Sequence, residues 1–181
     1  KEGFGRTNLN ISMEDLKASL NEQIEQLPNA NCVKFHGALY NDTVVNSSLA
    51  KGLTDWLVDH KIKTVITFAT SELARHCRKA GIAVLKEAFA ERRYSYDPVA
   101  ERLTLVNRSK DYASISDCEE ALEHSWSMIH KGVVNAYVED TDGSISRKLV
   151  PIEVDTICIH SDSVIALELA TKLNAILESG Q

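Results

Sequence analysis

Apolar, β-branched runs alternate with amphipathic helical stretches along this chain, and that alternation restricts its fold more than any other feature. The strand-like runs are Cys32–Val33 and residues 64–68, 82–85, 133–138 and 154–159. Between them the apolar residues recur at helical spacing. Met13, Leu16, Leu20, Ile24 and Leu27 follow an N-cap at Ser12, stop at Pro28, and predict a stripe that packs on a sheet. Leu49, Leu53, Trp56 and Leu57 predict a second helix. Thr70 is the expected cap of a third, with Leu73, Ala74 and Cys77 inward and Gly81 at its end. Ser116 and Glu119 read as a capping box for a fourth, with Ala121, Leu122, Ser125, Trp126 and Ile129 inward as far as Gly132. A last helix places Ala166, Leu169, Ala170, Leu173 and Leu177 on one side. Such an order demands right-handed crossovers and a mainly parallel sheet. A barrel and a doubly wound sheet both satisfy it. Neither G-x-G-x-x-G nor G-x-x-x-x-G-K-[ST] occurs, which favours the barrel.

Composition narrows the functional classes. With 181 residues, 44% hydrophobic and 25% charged, and only 3 Pro and 8 Gly, one globular domain spanning 1–181 is expected. The formal net charge of -6 comes without a Lys/Arg cluster interleaved with aromatics, so nucleic acid is not an expected partner. No apolar run approaches the roughly 20 residues of a membrane helix. Cys32, Cys77, Cys118 and Cys158 show no C-x-x-C spacing, which fits buried thiols in a reducing, cytoplasmic compartment.

Ionisable groups gather where the strands end. Lys34 and His36 follow the first run, Glu87, Glu91 and Arg92 the third, and His160 and Asp162 the last. In a parallel sheet or barrel all such exits lie on one face, so these groups are expected to converge. Cations there suit a small carboxylate, and His36, His160, Glu87 or Asp162 suit proton transfer. His–carboxylate pairs also ligate divalent metals, but H-x-D is a weak metal signal and no metal ligand is assigned. Gly37 is expected to turn the backbone, Tyr40 to pack or to touch substrate, and a long loop holding Asp97, Pro98 and Arg108 is a lid candidate. The D-T-D-G string at 140–143 reads as a plain turn. His60, His76, His124 and His130 read as surface or helix-end residues, and Trp56 and Trp126 as core anchors.

At these same positions the sequence resembles the LamB/YcsF family, the A subunits of 5-oxoprolinase. G-F-G-R at 3–6 with S-x-E-D-L at 12–16, V-K-F-H-G-A-L-Y-N at 33–41, E-A-F-A-E-R-R-Y at 87–94, L-V-N-R at 105–108 and T-I-C-I-H-S-D at 156–162 match family motifs in order. Phe35, Glu91 and Ser161 stand where the family has Pro, Asp and Gly. The resemblance implies a TIM-like (β/α) barrel of irregular strand count. It further implies ATP-dependent opening of the 5-oxoproline lactam to glutamate, with ATP and magnesium as cofactors and the B and C subunits of 5-oxoprolinase as partners. On that reading Lys34, His36, Glu87 and Asp162 are the catalytic candidates, and Arg6, Tyr40, Asn41, Arg92, Arg108 and His160 the substrate-binding ones. The family's D-x-N-x-D-x-G-E strand and C-G-F-H-A-G-D motif precede G-F-G-R and are expected outside this chain. The barrel is therefore expected to be incomplete at its amino terminus, with edges covered by a further segment, a partner or a second copy. Two other readings stay open: a non-catalytic binding or scaffolding remnant, and a metal-dependent hydrolase of carbohydrate amides.

Overall fold

The computed structural model describes residues 11–139 and 142–179. Contacts divide the chain into two units, Lys1–Lys86 and Glu87–Gln181.

In the first unit the order is α1 (Met13–Glu25), β1 (Cys32–Val33), α2 (Gly37–Val45), α3 (Ser47–Asp59), β2 (Thr64–Thr67), α4 (Glu72–Lys79) and the start of β3 (Ala83–Phe89). β1 pairs parallel with β2, and β2 with β3 in the register Thr64↔Ala83 to Thr67↔Lys86. The predicted parallel pairing is thus present. The core is built from Leu53, Trp56 and Leu57 of α3, Val65 of β2, Leu73 and Cys77 of α4, and Ile82. Ser12 caps α1 as expected, its side chain accepting from the Asp15 N–H. The α1 stripe joins the core shared with α3 and β2 through Leu16, Leu20 and Ile24, Trp56 Nε1 donates to Asn21 Oδ1 at 2.7 Å, and no α1 residue is fully buried. Leu27 is 63% exposed. β1 is not the buried strand expected, because β2 is its one strand neighbour among the described residues and Cys32 faces solvent. The cap of α4 is Ser71 rather than Thr70; its hydroxyl accepts from the Ala74 N–H at 2.9 Å. Gly81 closes that helix at φ 78°.

The stretch after His36 is not a loop. Gly37, at φ 64°, turns the chain straight into α2, so residues 37–45 are helical. A positive φ is cheap only for a residue without Cβ, and it lets the helix begin directly after His36.

The second unit contains the end of β3, β4 (Tyr94–Asp97), β5 (Arg102–Leu105), α5 (Cys118–Lys131), β6 (Val133–Glu139), β7 (Ile145–Pro151), β8 (Thr156–Cys158) and α6 (Ala166–Ser179). β3 runs on past the apolar run at 82–85, because its second half pairs with β8 from Glu87↔Thr156 to Phe89↔Cys158. Glu87 therefore lies inside the strand, 3% exposed, and not at its exit. The expected long loop is largely a hairpin, with β4 and β5 antiparallel and Asp97 Oδ1 accepting from the Val99 and Ala100 N–H groups across the turn. β4 also pairs parallel with β6, and β6 antiparallel with β7, a strand the sequence reading did not register. The turn read at 140–143 lies partly outside the described residues; Asp142 Oδ1 accepts from the Ser144 N–H. Asp117, not Ser116, caps α5, and Gly132 ends it at φ 64°. The inward face of α5 is Cys118, Ala121, Ser125 and Met128, while Leu122, Trp126 and Ile129 are half-buried. Leu169 and Leu173 of α6 are buried, but Ala170 and Leu177 face solvent. Among the described residues no helix is long and apolar enough to cross a membrane.

Candidate functional site

Two groups of polar side chains stand out, one in each unit. In the first, Lys34 follows β1 directly and is half-buried, with Nζ 5.9 Å from the centroid of the Tyr40 ring. His36 is the residue before α2 and is exposed. Both line a cavity of about 920 Å³ whose walls include Leu16, Leu20, Val33, Phe35, Leu39 and Trp56. A mostly apolar wall carrying a few polar groups is the usual make-up of a small-molecule site. Tyr40 is 5% exposed and Asn41 is exposed on α2. Phe35 turns inward against Trp56, their ring centroids 6.3 Å apart. Asp42 was not singled out by sequence, yet it lines the same cavity, and burial pushes its carboxyl above the usual carboxylate value. Arg6 lies outside the described residues.

In the second unit the β3–β8 register sets the geometry. Phe89 pairs with Cys158, so Glu91 and His160, each two residues further on, emerge side by side. Glu91 Oε1 accepts from the His160 main-chain N–H at 2.8 Å and lies within hydrogen-bonding distance of its ring Nδ1. Burial acts to raise the Glu91 carboxyl, and the two hydrogen bonds from His160 outweigh it, holding the carboxyl below its usual value. The His160 ring stacks on Phe89 at 5.7 Å with an interplanar angle of 15°, and 29% of the side chain remains exposed. Asp162 lies beyond it on the surface.

Arg92 is 4% exposed, and its guanidinium donates to Val106 O at 2.8 Å and Ala113 O at 3.2 Å. Burial, with Arg108 nearby, lowers its pKa to about 10. It fastens the segment that carries Arg108, itself exposed. Tyr94 is fully buried and its hydroxyl accepts from the Phe89 N–H at 2.8 Å, closing the turn from β3 to β4; burial raises its pKa. His124 is not the surface residue expected. Its ring is 5.6 Å from that of Tyr94, burial lowers its pKa to about 4, and Nε2 is buried without a partner among the described residues.

A third constellation fails on geometry. Ser47 Oγ and Glu72 Oε2 both approach His76 at Nε2, at 3.0 and 3.9 Å. A nucleophile relay needs the carboxylate on the ring's other nitrogen.

Among the described residues no three His, Cys, Asp or Glu side chains come together as a metal site.

The comparisons agree with this architecture. A crystal structure of the lactam utilization protein from Thermus thermophilus superposes with a TM-score of 0.72 at 28% identity, covering 98% of this chain and 70% of that one. The chain is 36% identical over 183 residues to a 5-oxoprolinase A subunit from Neisseria meningitidis serogroup A, covering 96% of this chain and 69% of that protein. It is 34% identical over 185 residues to one of the same name from Clostridium beijerinckii, with 97% and 68% covered. The fold is accordingly TIM-like α/β. The LamB/YcsF family model matches residues 1–181, from end to end of the sequence, and the chain belongs to that family.

Proposed function

We propose that the chain works as a 5-oxoprolinase A subunit, acting with partner subunits in the ATP-dependent hydrolytic opening of 5-oxoproline to glutamate. The observation that carries this reading is the 36% identity to a protein of that name over 96% of the chain. The sites add chemical sense. A lactam is a stabilised amide, here with an acidic substituent, so its hydrolysis calls for a cation for the carboxylate and a group that moves a proton between water and the ring nitrogen. Lys34 and Arg108 are the candidate cations for the first task, Arg92 holds the Arg108 segment, and Tyr40, beside Lys34, and Asn41 are further substrate-binding candidates. His36, Glu87, His160 and Asp162 are the proton-transfer candidates.

The residues present do not by themselves fit ATP with magnesium. The described residues contain neither a glycine-rich phosphate loop nor a cluster of three His, Cys, Asp or Glu, so the nucleotide is assigned to the assembly with the partner subunits. The test is to combine the full-length protein with its partner subunits, 5-oxoproline and ATP, and to follow glutamate. Formation only in the complete mixture supports the reading. No glutamate in that mixture overturns it.

A further inference from the structure

We infer that Glu91 is a positioning residue that fixes the ring of His160 with its proton on Nδ1, leaving Nε2 as the base that serves the attacking water. The inference rests on the proposed lactam hydrolysis for its substrate, and on geometry alone for its arrangement. Glu91 Oε1 already accepts the His160 main-chain N–H at 2.8 Å, so this oxygen is an acceptor. An acceptor facing Nδ1 obliges Nδ1 to donate, and a neutral imidazole carrying its proton there has its lone pair on Nε2. The carboxylate is itself immobile: Glu91 is 3% exposed, and its main-chain carbonyl accepts from the Ile115 N–H at 2.9 Å. The Phe89 ring lies nearly parallel to the imidazole, with centroids 5.7 Å apart and an interplanar angle of 15°, and packs beside it. Glu91 Oε2 is buried with no partner among the described residues, an arrangement that packing alone does not favour.

In the reaction His160 Nε2 takes a proton from water as the water oxygen bonds to the lactam carbonyl carbon. When the ring C–N bond breaks, the same proton passes to the departing nitrogen, so His160 ends as it began and the added water is divided between carbon and nitrogen. Glu91 steadies the intervening imidazolium without taking its proton. Among the described residues, Arg92 and, from α5, His124 also interact electrostatically with Glu91.

The test uses the full-length protein with its partner subunits, as wild type, Glu91→Gln, Glu91→Asp and His160→Asn. Expected are a kcat reduced 10-fold or more in Glu91→Gln with KM changed less than threefold, an acid limb of the pH–rate profile displaced to lower pH, and partial recovery in Glu91→Asp. His160→Asn should lose at least as much. Nitrogen-15 NMR of the wild-type imidazole should show Nδ1 protonated, and this signature should be lost in Glu91→Gln. A proton found on Nε2, or a Glu91→Gln enzyme with unchanged kcat and profile, overturns the inference. If Glu91→Gln does not fold, Glu91→Asp and the wild-type spectrum decide. The spectrum needs no substrate, so an enzyme inactive on 5-oxoproline with Nδ1 protonated refutes the proposed reaction and leaves the positioning standing.

Discussion

His124 and Arg92 show what burial does to single side chains in this chain. The folded state depresses the His124 pKa from 6.5 to about 4, so between these values the unfolded chain binds more protons than the folded one. Stability must therefore fall as pH drops from 6.5 toward 4. Glu91 works in the same direction at more acidic pH, since its lowered carboxyl stabilises the fold only while ionised. Thermal unfolding of His124→Asn should show a flatter Tm profile between pH 6.5 and 4 than wild type; an unaltered slope would mean the ring is not held neutral. Arg92→Met keeps the bulk but removes the guanidinium donors; Ala113 O retains the Arg93 N–H, while Val106 O loses the Arg92 donor at a cost of about 1–3 kcal/mol. Chemical denaturation should register that loss, and hydrogen exchange should show faster opening of residues 106–113. Sequence placed Arg92 among ionisable groups near a strand exit and so offered it as a ligand contact. What it could not supply is depth: two main-chain carbonyls from a segment 14 to 21 residues away take up the guanidinium.

Among the elements, the caps of α4 and α5 each stand one residue beyond the one the sequence suggests, while that of α1 falls on the expected Ser12. Ser71→Ala should cost about 1 kcal/mol because its hydroxyl caps α4, whereas exposed Thr70→Ala should fall within experimental error of wild type. Equal losses in urea denaturation would contradict the assignment. Propensity patterns locate a terminus to within a residue or two, and only the hydrogen bond chooses between Thr70 and Ser71. Long periodic helices and β-branched strands such as α3 and β2 were legible because many residues vote together. α2 was not, since Gly37 and His36 read as punctuation. Once residues 37–45 are seen as a helix, Leu39, Asp42 and Val45 fall on one face, and Asp42 joins the cavity wall. β7 was hidden because five of its seven residues in succession are exposed, leaving no alternation to detect. Gly52 carries a further expectation. A Cβ there would sit 2.6 Å from Met13 Cε, the free end of a flexible side chain that can swing away, while alanine improves the interior of α3. Gly52→Ala should hold stability within about 1 kcal/mol of wild type, and a large loss in calorimetry would show that α1 cannot give.

At the level of the whole chain, order of elements was readable and register was not. The β3–β8 pairing joins residues nearly 70 positions apart and puts Glu91 against His160, a relation no local pattern contains. The family motifs marked both ends of that pair without saying that they touch. The account's central claim is that polar groups following the strands of this family member belong to the machinery of lactam opening. The most direct measurement is glutamate formation by the full-length protein assembled with its partner subunits, comparing wild type with Lys34→Ala and His36→Ala. The account predicts a loss of kcat/KM of at least 10-fold in Lys34→Ala and a smaller but measurable loss in His36→Ala. Turnover equal to wild type in both variants would contradict it.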